Sequence, residues 1–524
     1  MKRIKSSTTR KVQPSKIFNS KQRGWEGYTV LLDFKQAQAG LSGIGQDVRL
    51  TLYAFQNSPA VKRIGLLLYP KLLSNGNFKI RHCDDLTEQS KFLYSALDLS
   101  SQNASKSFIG LRKSLQLIAK FYRSVIELIT SSCAVTHIDD QYFAGMLYRN
   151  LFPEHEATIE QTFKKTKVLI GNFSRQNMLI SECLLRPLFK KKFRLDTTDY
   201  DFFITQYWNT FEISDNTALI IRAYDAVPII DLDTVTSKPN YFAHLMKRNS
   251  DKAYFVCDSL PVEGKLIKLL PQIAGRTFVV PCAVSDFYKK TSNFMHLKST
   301  CVLHWSASSL KQYKQADISA IREKSAAKIR NAESLHYILF VSAIEPRKNL
   351  RSLIEAWHPL YTSQGLRLVI CGNEGWHSND ILRQMSPLVE SGAIIHLEKV
   401  PLHDMPLLYS HAQAFVSPSY AEGFGLPVVE AMRCECPIAI SNIEEYRWVA
   451  GEAALYFDPY NVSDIRAQIN ALLFNKTSQA VRRKLIQAGL AQSERYTIKA
   501  VSKAWQETLE KIAVLRKKAD TTPS

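Results

Sequence analysis

The chain of 524 residues is too long for a single hydrophobic core and is expected to divide into two domains or more. Hydrophobic residues make up 45% of it and dense Val, Ile, Leu and Phe segments occur in both halves, which excludes a largely disordered protein. A net charge of +20 favours a polyanionic partner, whether nucleic acid, an anionic lipid surface or a phosphorylated small molecule, and does not choose among them.

The N-terminal stretch MKRIKSSTTRKVQPSKIFNSKQR is basic and lacks the apolar core of a signal peptide. No later segment reaches the roughly 18 apolar residues of a spanning helix, so a location in the cytoplasm is expected, with the basic tail and the run RPLFKKKFR (186–194) as candidate contacts to an anionic membrane surface. The nine cysteines stand singly apart from Cys434 and Cys436. Their odd number and lack of metal-ligand spacing fit a reducing compartment.

In chain order, YTVLLDF (28–34) predicts a buried first strand, and AQAGLSGIGQDVRLTLYAF a glycine-containing loop that turns into an amphipathic helix. From about 86 to 192 the apolar spacing is mostly helical and reads as a helical insertion. ALIIR (218–222), AYFVC (253–257) and RTFVVP (276–281) return as short strands. A Lys- and Ser-rich stretch follows, and then a clearer strand and helix rhythm: HYILFVS (336–342), LRLVICG (366–372), IIHLEKV (394–400), AFVSPS (414–419), PIAISN (437–442) and AALYFD (453–458). Such alternation predicts an α/β chain with doubly wound parallel sheets. The expected division is a basic tail over 1–23, a first domain over 24–300, a connection over 301–334, a second domain over 335–490 and a final helix within 491–515.

The stretch SPSYAEGFGLPVVEAMRC (417–434) carries the most chemistry. A strand ends near Pro418, a loop presents Glu422, and Gly423, Phe424 and Gly425 lead into a helix that Pro427 can begin without wasting an N–H. Glu430 is expected in about the first helical turn. Glycine lets backbone N–H groups approach a ligand, a helix N-terminus favours negative charge, and two carboxylates flank the same point. A sugar linked to a diphosphate satisfies all three. Upstream, FVSAIEPRKNLRSLIEAW places Arg347 and Lys348 at the carboxyl end of a strand, where two cations suit a diphosphate leaving group.

Both stretches resemble the family-four retaining glycosyltransferases of the GT-B fold, in which a loop Glu and a helix Glu are separated by seven residues. The wording EPRKN and EGFGLPVVEA is most similar to bacterial O-antigen mannosyltransferases. The resemblance is strong over about 335–475 and thinner in the first half. It implies two Rossmann-like domains facing across a cleft, a final helix crossing back to the first domain, and a nucleoside diphosphate sugar as donor. It further implies Arg347, Lys348 and the backbone of Phe424, Gly425 and Leu426 on the donor diphosphate, Glu422 and Gly423 at the donor sugar, and Glu430 on the ribose. The nucleoside base is then expected near the loops after Gly372 and Val400.

GLSGIGQDVR resembles the family's first glycine-rich loop, which makes Gly43 and Gly45 candidates for the phosphates. ALIIRAYDAVPII, with Asp225 after a strand end, resembles the first-domain site where many family members carry His-Asp or Tyr-Asp, which makes Asp225 a candidate catalytic residue; Tyr224 stands where histidine is often found. Asp231 and Asp233, and His137 with Asp139 and Asp140, imitate acidic metal motifs. They are set aside, because cations and a helix N-terminus can replace a metal, and no cofactor or metal is expected. GDP-mannose is the favoured donor, with UDP-hexoses as the alternative, and the acceptor is a glycan or a polyprenyl-diphosphate-linked glycan. A nucleic-acid-binding role is disfavoured because no recognition module is present. A catalytically silent assembly component would have lost Glu422, Glu430, Arg347 or Lys348, and all four are kept.

Overall fold

The computed structural model describes residues 27–38, 43–69, 135–138, 165–171, 194–206, 212–224 and 250–521. The first sheet contains β1 (Tyr28–Asp33), β2 (Val61–Leu68), β3 (Val135–Ile138), β4 (Thr166–Gly171), β5 (Phe202–Thr205), β6 (Ala218–Ala223), β7 (Tyr254–Cys257) and β8 (Thr277–Val279). Their order is β3-β4-β2-β1-β5-β6-β7-β8, and every neighbouring pair is parallel except β3 with β4. Successive side chains leave a strand on opposite faces. Val30 and Leu32 accordingly join a core with α1 (Gly43–Gln56), whereas Leu31 joins one with Val262 and Leu266 of α2 (Leu260–Leu269).

The second sheet, β9 (Tyr337–Val341), β10 (Arg367–Cys371), β11 (Ile394–Leu397), β12 (Ala414–Ser417), β13 (Ile438–Ser441) and β14 (Ala454–Phe457), is parallel throughout in the order β11-β10-β9-β12-β13-β14. Its strands read as near-continuous apolar runs because helices cover both faces. The chain leaves the centre first toward β11 and then toward β14. A crevice therefore opens beyond the carboxyl ends of β9 and β12, where a doubly wound sheet binds its ligand.

Two expectations change. The stretch 86–192, read as a helical insertion, contributes β3 and β4 to the first sheet; apart from 135–138 and 165–171 it lies outside the described residues. The stretch 301–334, read as a connection, belongs to the second domain. Leu297 and Cys301 of α3 (Phe294–Leu303), with Trp305, Leu310 and Ile329, enter the same core as β9 to β14. Trp305 bridges Leu397 in antiparallel fashion. The exposed face of α4 (Gln315–Arg330) supplied the Lys- and Ser-rich signal that hid this packing.

Further helices are α5 (Leu350–Gln364), α6 (Leu426–Arg433), α7 (Glu444–Ala450), α8 (Val462–Leu473) and α9 (Ile498–Thr521). Helix α9 crosses back to the first domain. Trp505 meets Phe55 edge-on at 5.3 Å, and Ser502 Oγ donates to the Ala54 carbonyl at 3.0 Å. Beneath it, buried Arg222 of β6 donates to both carboxylate oxygens of Asp47 on α1, at 3.0 and 3.3 Å, and to the Cys257 carbonyl. This pair joins α1 to β6 and β7. Asp47→Ala would strand the guanidinium in a dry site and is expected to destabilise the first domain by about 3–5 kcal/mol in urea denaturation, whereas the joint Asp47→Leu and Arg222→Met change recovers much of the loss.

Candidate active site

The crevice is built from the loops after β9 and β12. After β9, Pro346–Lys348 form one tight turn, and Asn349 takes the left-handed conformation at φ 53°. Asparagine tolerates that conformation better than most residues. Its side-chain amide donates to the carbonyls of Pro418 at 3.1 Å and Pro459 at 2.8 Å, tying together the loops after β9, β12 and β14.

Glu422 is the centre of the arrangement. Lys348 Nζ donates to both its oxygens at 2.7 and 2.8 Å, Arg347 lies at 3.5 Å, and the Tyr446 hydroxyl of α7 donates at 3.1 Å. Arg347 is itself held by the Ala421 carbonyl at 2.9 Å and Glu345 at 3.1 Å. Burial pushes the Glu422 carboxyl up, but Lys348 and then Arg347 outweigh it and hold the group down at about 2. Glu422 is thus ionised throughout the neutral range. It can accept hydrogen bonds and balance positive charge, and it has no proton to give.

The following turn presents backbone. Gly425 has φ 96°, and a Cβ there would come within 2.6 Å of Tyr446 Cε1, so both conformation and space require glycine. Phe424 is buried edge-on against Trp448 and Tyr496, which leaves its main chain as the part available to a ligand. Helix α6 starts at Leu426 without a side-chain cap. Gly43 begins α1 and stands opposite, since a Cβ added to it would meet Leu426 Cδ1 at 3.6 Å. Two helix N-termini, each favouring negative charge, therefore meet across the cleft. The Gly43 contact is an ordinary one, so space alone does not demand glycine there; Gly45 is buried in the first turn of α1.

Glu430 is the fifth residue of α6, just past its first turn, and is 4% exposed. Tyr409 donates to it at 2.7 Å, and Tyr288 flanks it. Burial outweighs these hydroxyls and pushes its carboxyl up to about 7. Val400 packs on the second-domain core just after β11. A Cβ at Gly372 would lie 1.8 Å from the Ser342 carbonyl oxygen, so the loops after β9 and β10 touch backbone to backbone.

Asp225, Asp231, Asp233, Asp139 and Asp140 lie outside the described residues. Tyr224 donates to Asp47 at 2.9 Å and packs against the second-domain core. Four residues escaped the sequence reading. Asn349 had a usable signal, being a left-hand-tolerant residue directly after the two cations. Tyr446 and Tyr409 act from 24 and 21 positions away, and no local pattern announces them. Ser259, the fourth, links the domains: its Oγ caps α2 by accepting from Val262 N–H at 3.4 Å and donates to the Gly423 carbonyl at 3.1 Å. Lys265 of α2 pairs with buried Glu445, the neighbour of Tyr446. One helix of the first domain thus grips the Glu422 surroundings on two sides, next to a cleft of about 570 Å³ lined by residues of both domains.

Residues 321–492 match the family described as Glycosyl transferases group 1. The chain is 36% identical over 163 residues to O-antigen chain mannosyltransferase B of Escherichia coli, covering 31% of this chain and 42% of that protein. It is 25% identical over 267 residues to O-antigen chain mannosyltransferase RfbU of Salmonella typhimurium, covering 49% and 66% respectively. Among solved structures, sucrose-phosphate synthase of Thermosynechococcus elongatus aligns with a TM-score of 0.52 at 13% identity, over 93% of this chain and 100% of that one. HepE of Anabaena aligns at 0.51 and 13%, over 92% and 99%. These likenesses show the two-domain GT-B fold.

The grip of α2 on the Glu422 loop is testable, because glycine replaces serine at a helix cap at a cost of only a few tenths of a kcal/mol. Ser259→Gly is therefore expected to leave the melting temperature nearly unchanged while lowering kcat/KM about tenfold, the loss of one well-placed hydrogen bond. Unchanged kinetics would show that the bond does not position Gly423.

Proposed function

From a chain whose residues 321–492 match the glycosyl transferases group 1 family, we propose a retaining, metal-independent hexosyltransferase that moves mannose from GDP-mannose to a glycan or a polyprenyl-diphosphate-linked glycan in surface polysaccharide synthesis. The observation that carries the reading is Glu422, kept ionised by Lys348 and Arg347 at the mouth of two opposed helix N-termini. The mannose and polysaccharide assignments rest on the names of the relatives and on the matching motifs.

In this reading the diphosphate lies between the N-termini of α1 and α6, with Lys348 and Arg347 turning part of their charge from Glu422 to its oxygens. Glu422 accepts hydroxyls of the donor sugar, and Glu430 accepts those of the ribose. The bond from the anomeric carbon to the phosphate oxygen breaks with its electron pair going to the diphosphate. The acceptor hydroxyl oxygen bonds to that carbon on the same face and passes its proton to the departing phosphate oxygen. Leaving-group charge is met by fixed cations and backbone dipoles, an arrangement that requires no reorganisation at the moment of reaction. Asp225 is the first-domain group proposed to act on the acceptor. The net charge of +20 suits docking on an anionic membrane face.

A melting and hydrolysis panel of GDP- and UDP-sugars, with and without EDTA, tests the reading. GDP-mannose is expected to raise the melting temperature by mass action and EDTA to change nothing; a UDP-hexose response instead would reassign the donor, and silence toward every nucleotide sugar would overturn the proposal. Glu422→Gln is expected to lower kcat about 10²–10³-fold with nucleotide affinity kept within a few-fold. For Glu430 the sign follows from its raised pKa: the carboxylate gains charge as pH climbs through about 7 and then accepts ribose hydroxyls more strongly. GDP binding should therefore tighten between pH 6 and pH 8, a trend that Glu430→Gln flattens in calorimetric titrations.

A further inference from the structure

Tyr460 is 76% exposed, the most exposed of the large apolar side chains among the described residues. An exposed ring alone signifies little. This one is stacked on Tyr420, with ring centres 4.8 Å apart and planes inclined by 25°. Both rings stand on anchored backbone. Tyr460 N–H donates to Asp458 Oδ1 at 2.9 Å, Asp458 N–H to Asp464 Oδ2 at 2.8 Å, and the Pro459 carbonyl accepts from Asn349 at 2.8 Å. Tyr420 N–H donates to the Arg347 carbonyl at 3.0 Å. The pair is a pre-ordered platform with one open face, and ordering before binding is what raises affinity at little conformational cost.

Its place decides what it can hold. Tyr420 is two residues from Glu422, and Tyr460 follows β14, so both stand at the carboxyl edge of the second sheet that bears the donor loops. A nucleobase would also stack on tyrosine, but the base is expected near the loops after β10 and β11. The strand order puts β12 two and β14 four positions from β10, or roughly 10 and 19 Å at ordinary strand spacing. The platform therefore stands away from the β10 and β11 loops, close in sequence to Glu422, and its rings carry no charge. A pyranose ring suits it: the C–H face lies on the aromatic face while the hydroxyls stay in water.

We propose that Tyr460 and Tyr420 form a carbohydrate subsite that stacks a pyranose unit of the acceptor glycan beside, and not at, the reacting centre. The proposal rests on the glycan-acceptor reading above and adds that the second domain, as well as the first, holds the acceptor. Because Tyr460 is so exposed, its replacement leaves the core untouched. The test is a saturation-transfer NMR titration of the full chain with a methyl glycoside of α-linked mannotriose, for the wild type, Tyr460→Ala and Tyr460→Phe, each also titrated with GDP and UDP.

The wild type and Tyr460→Phe are expected to bind the trisaccharide alike, and Tyr460→Ala about five- to tenfold more weakly, the weight of one aromatic stacking contact, with nucleotide binding equal in all three. Equal trisaccharide binding by Tyr460→Ala, or none by the wild type, would overturn the subsite. Absent nucleotide binding together with trisaccharide binding that depends on Tyr460 would instead sink the transferase reading and leave the subsite standing.

Discussion

A carboxylate taken out of water is costly unless cations face it, and Glu422 faces two. The remainder of the crevice follows from meeting that requirement. Lys348 and Arg347 reach it because the chain makes a tight turn directly after β9, and that turn ends in a left-handed asparagine whose amide binds the neighbouring loops. Arg347 is steadied by Glu345 and by the Ala421 carbonyl, so it meets the carboxylate in a set direction. With the Tyr446 hydroxyl also donating to Glu422, the two cations of the cluster are balanced by Glu422 and Glu345.

The two glutamates of the motif show how environment separates like groups. Glu422 is held down at about 2 by adjacent cations, while Glu430, eight residues on, buried and accepting from the Tyr409 hydroxyl, is pushed up to about 7 by that burial. One is charged throughout the neutral range; the other changes its charge near neutrality inside the domain. Their placement on either side of the α6 N-terminus lets a single loop and helix present both.

Neither domain completes this region by itself. Gly43 of the first domain stands against Leu426 of the second, Ser259 holds the Gly423 carbonyl, and Lys265 reaches Glu445. Domain contact and the geometry of the Glu422 loop are therefore coupled through short-range bonds that exist only when the two sheets face each other. Helix α9, continuous with the second domain and packed on Phe55 above the Asp47 and Arg222 pair, holds the end of the second domain against the first by noncovalent contacts.

The six strands of the second sheet were legible in sequence because each is a short apolar run bounded by turn residues, a signal that needs no partner. So were Glu422, Arg347 and Lys348, whose residue types and spacing lie within one loop each. The stretch 301–334 was not legible, since only Leu310 and Ile329 and a few others enter the core while the exposed face sets the composition. Nor was the burial of Glu430, which depends on Tyr409 and Tyr288 from elsewhere in the chain. Sequence alone determined the sheet class and the loop that carries Glu422 with its charges, because those reside in local pattern. Which groups face one another across the crevice, and hence each carboxylate's charge, only the tertiary structure decided, because long-range approach is set by how the two sheets pack and not by any spacing along the chain.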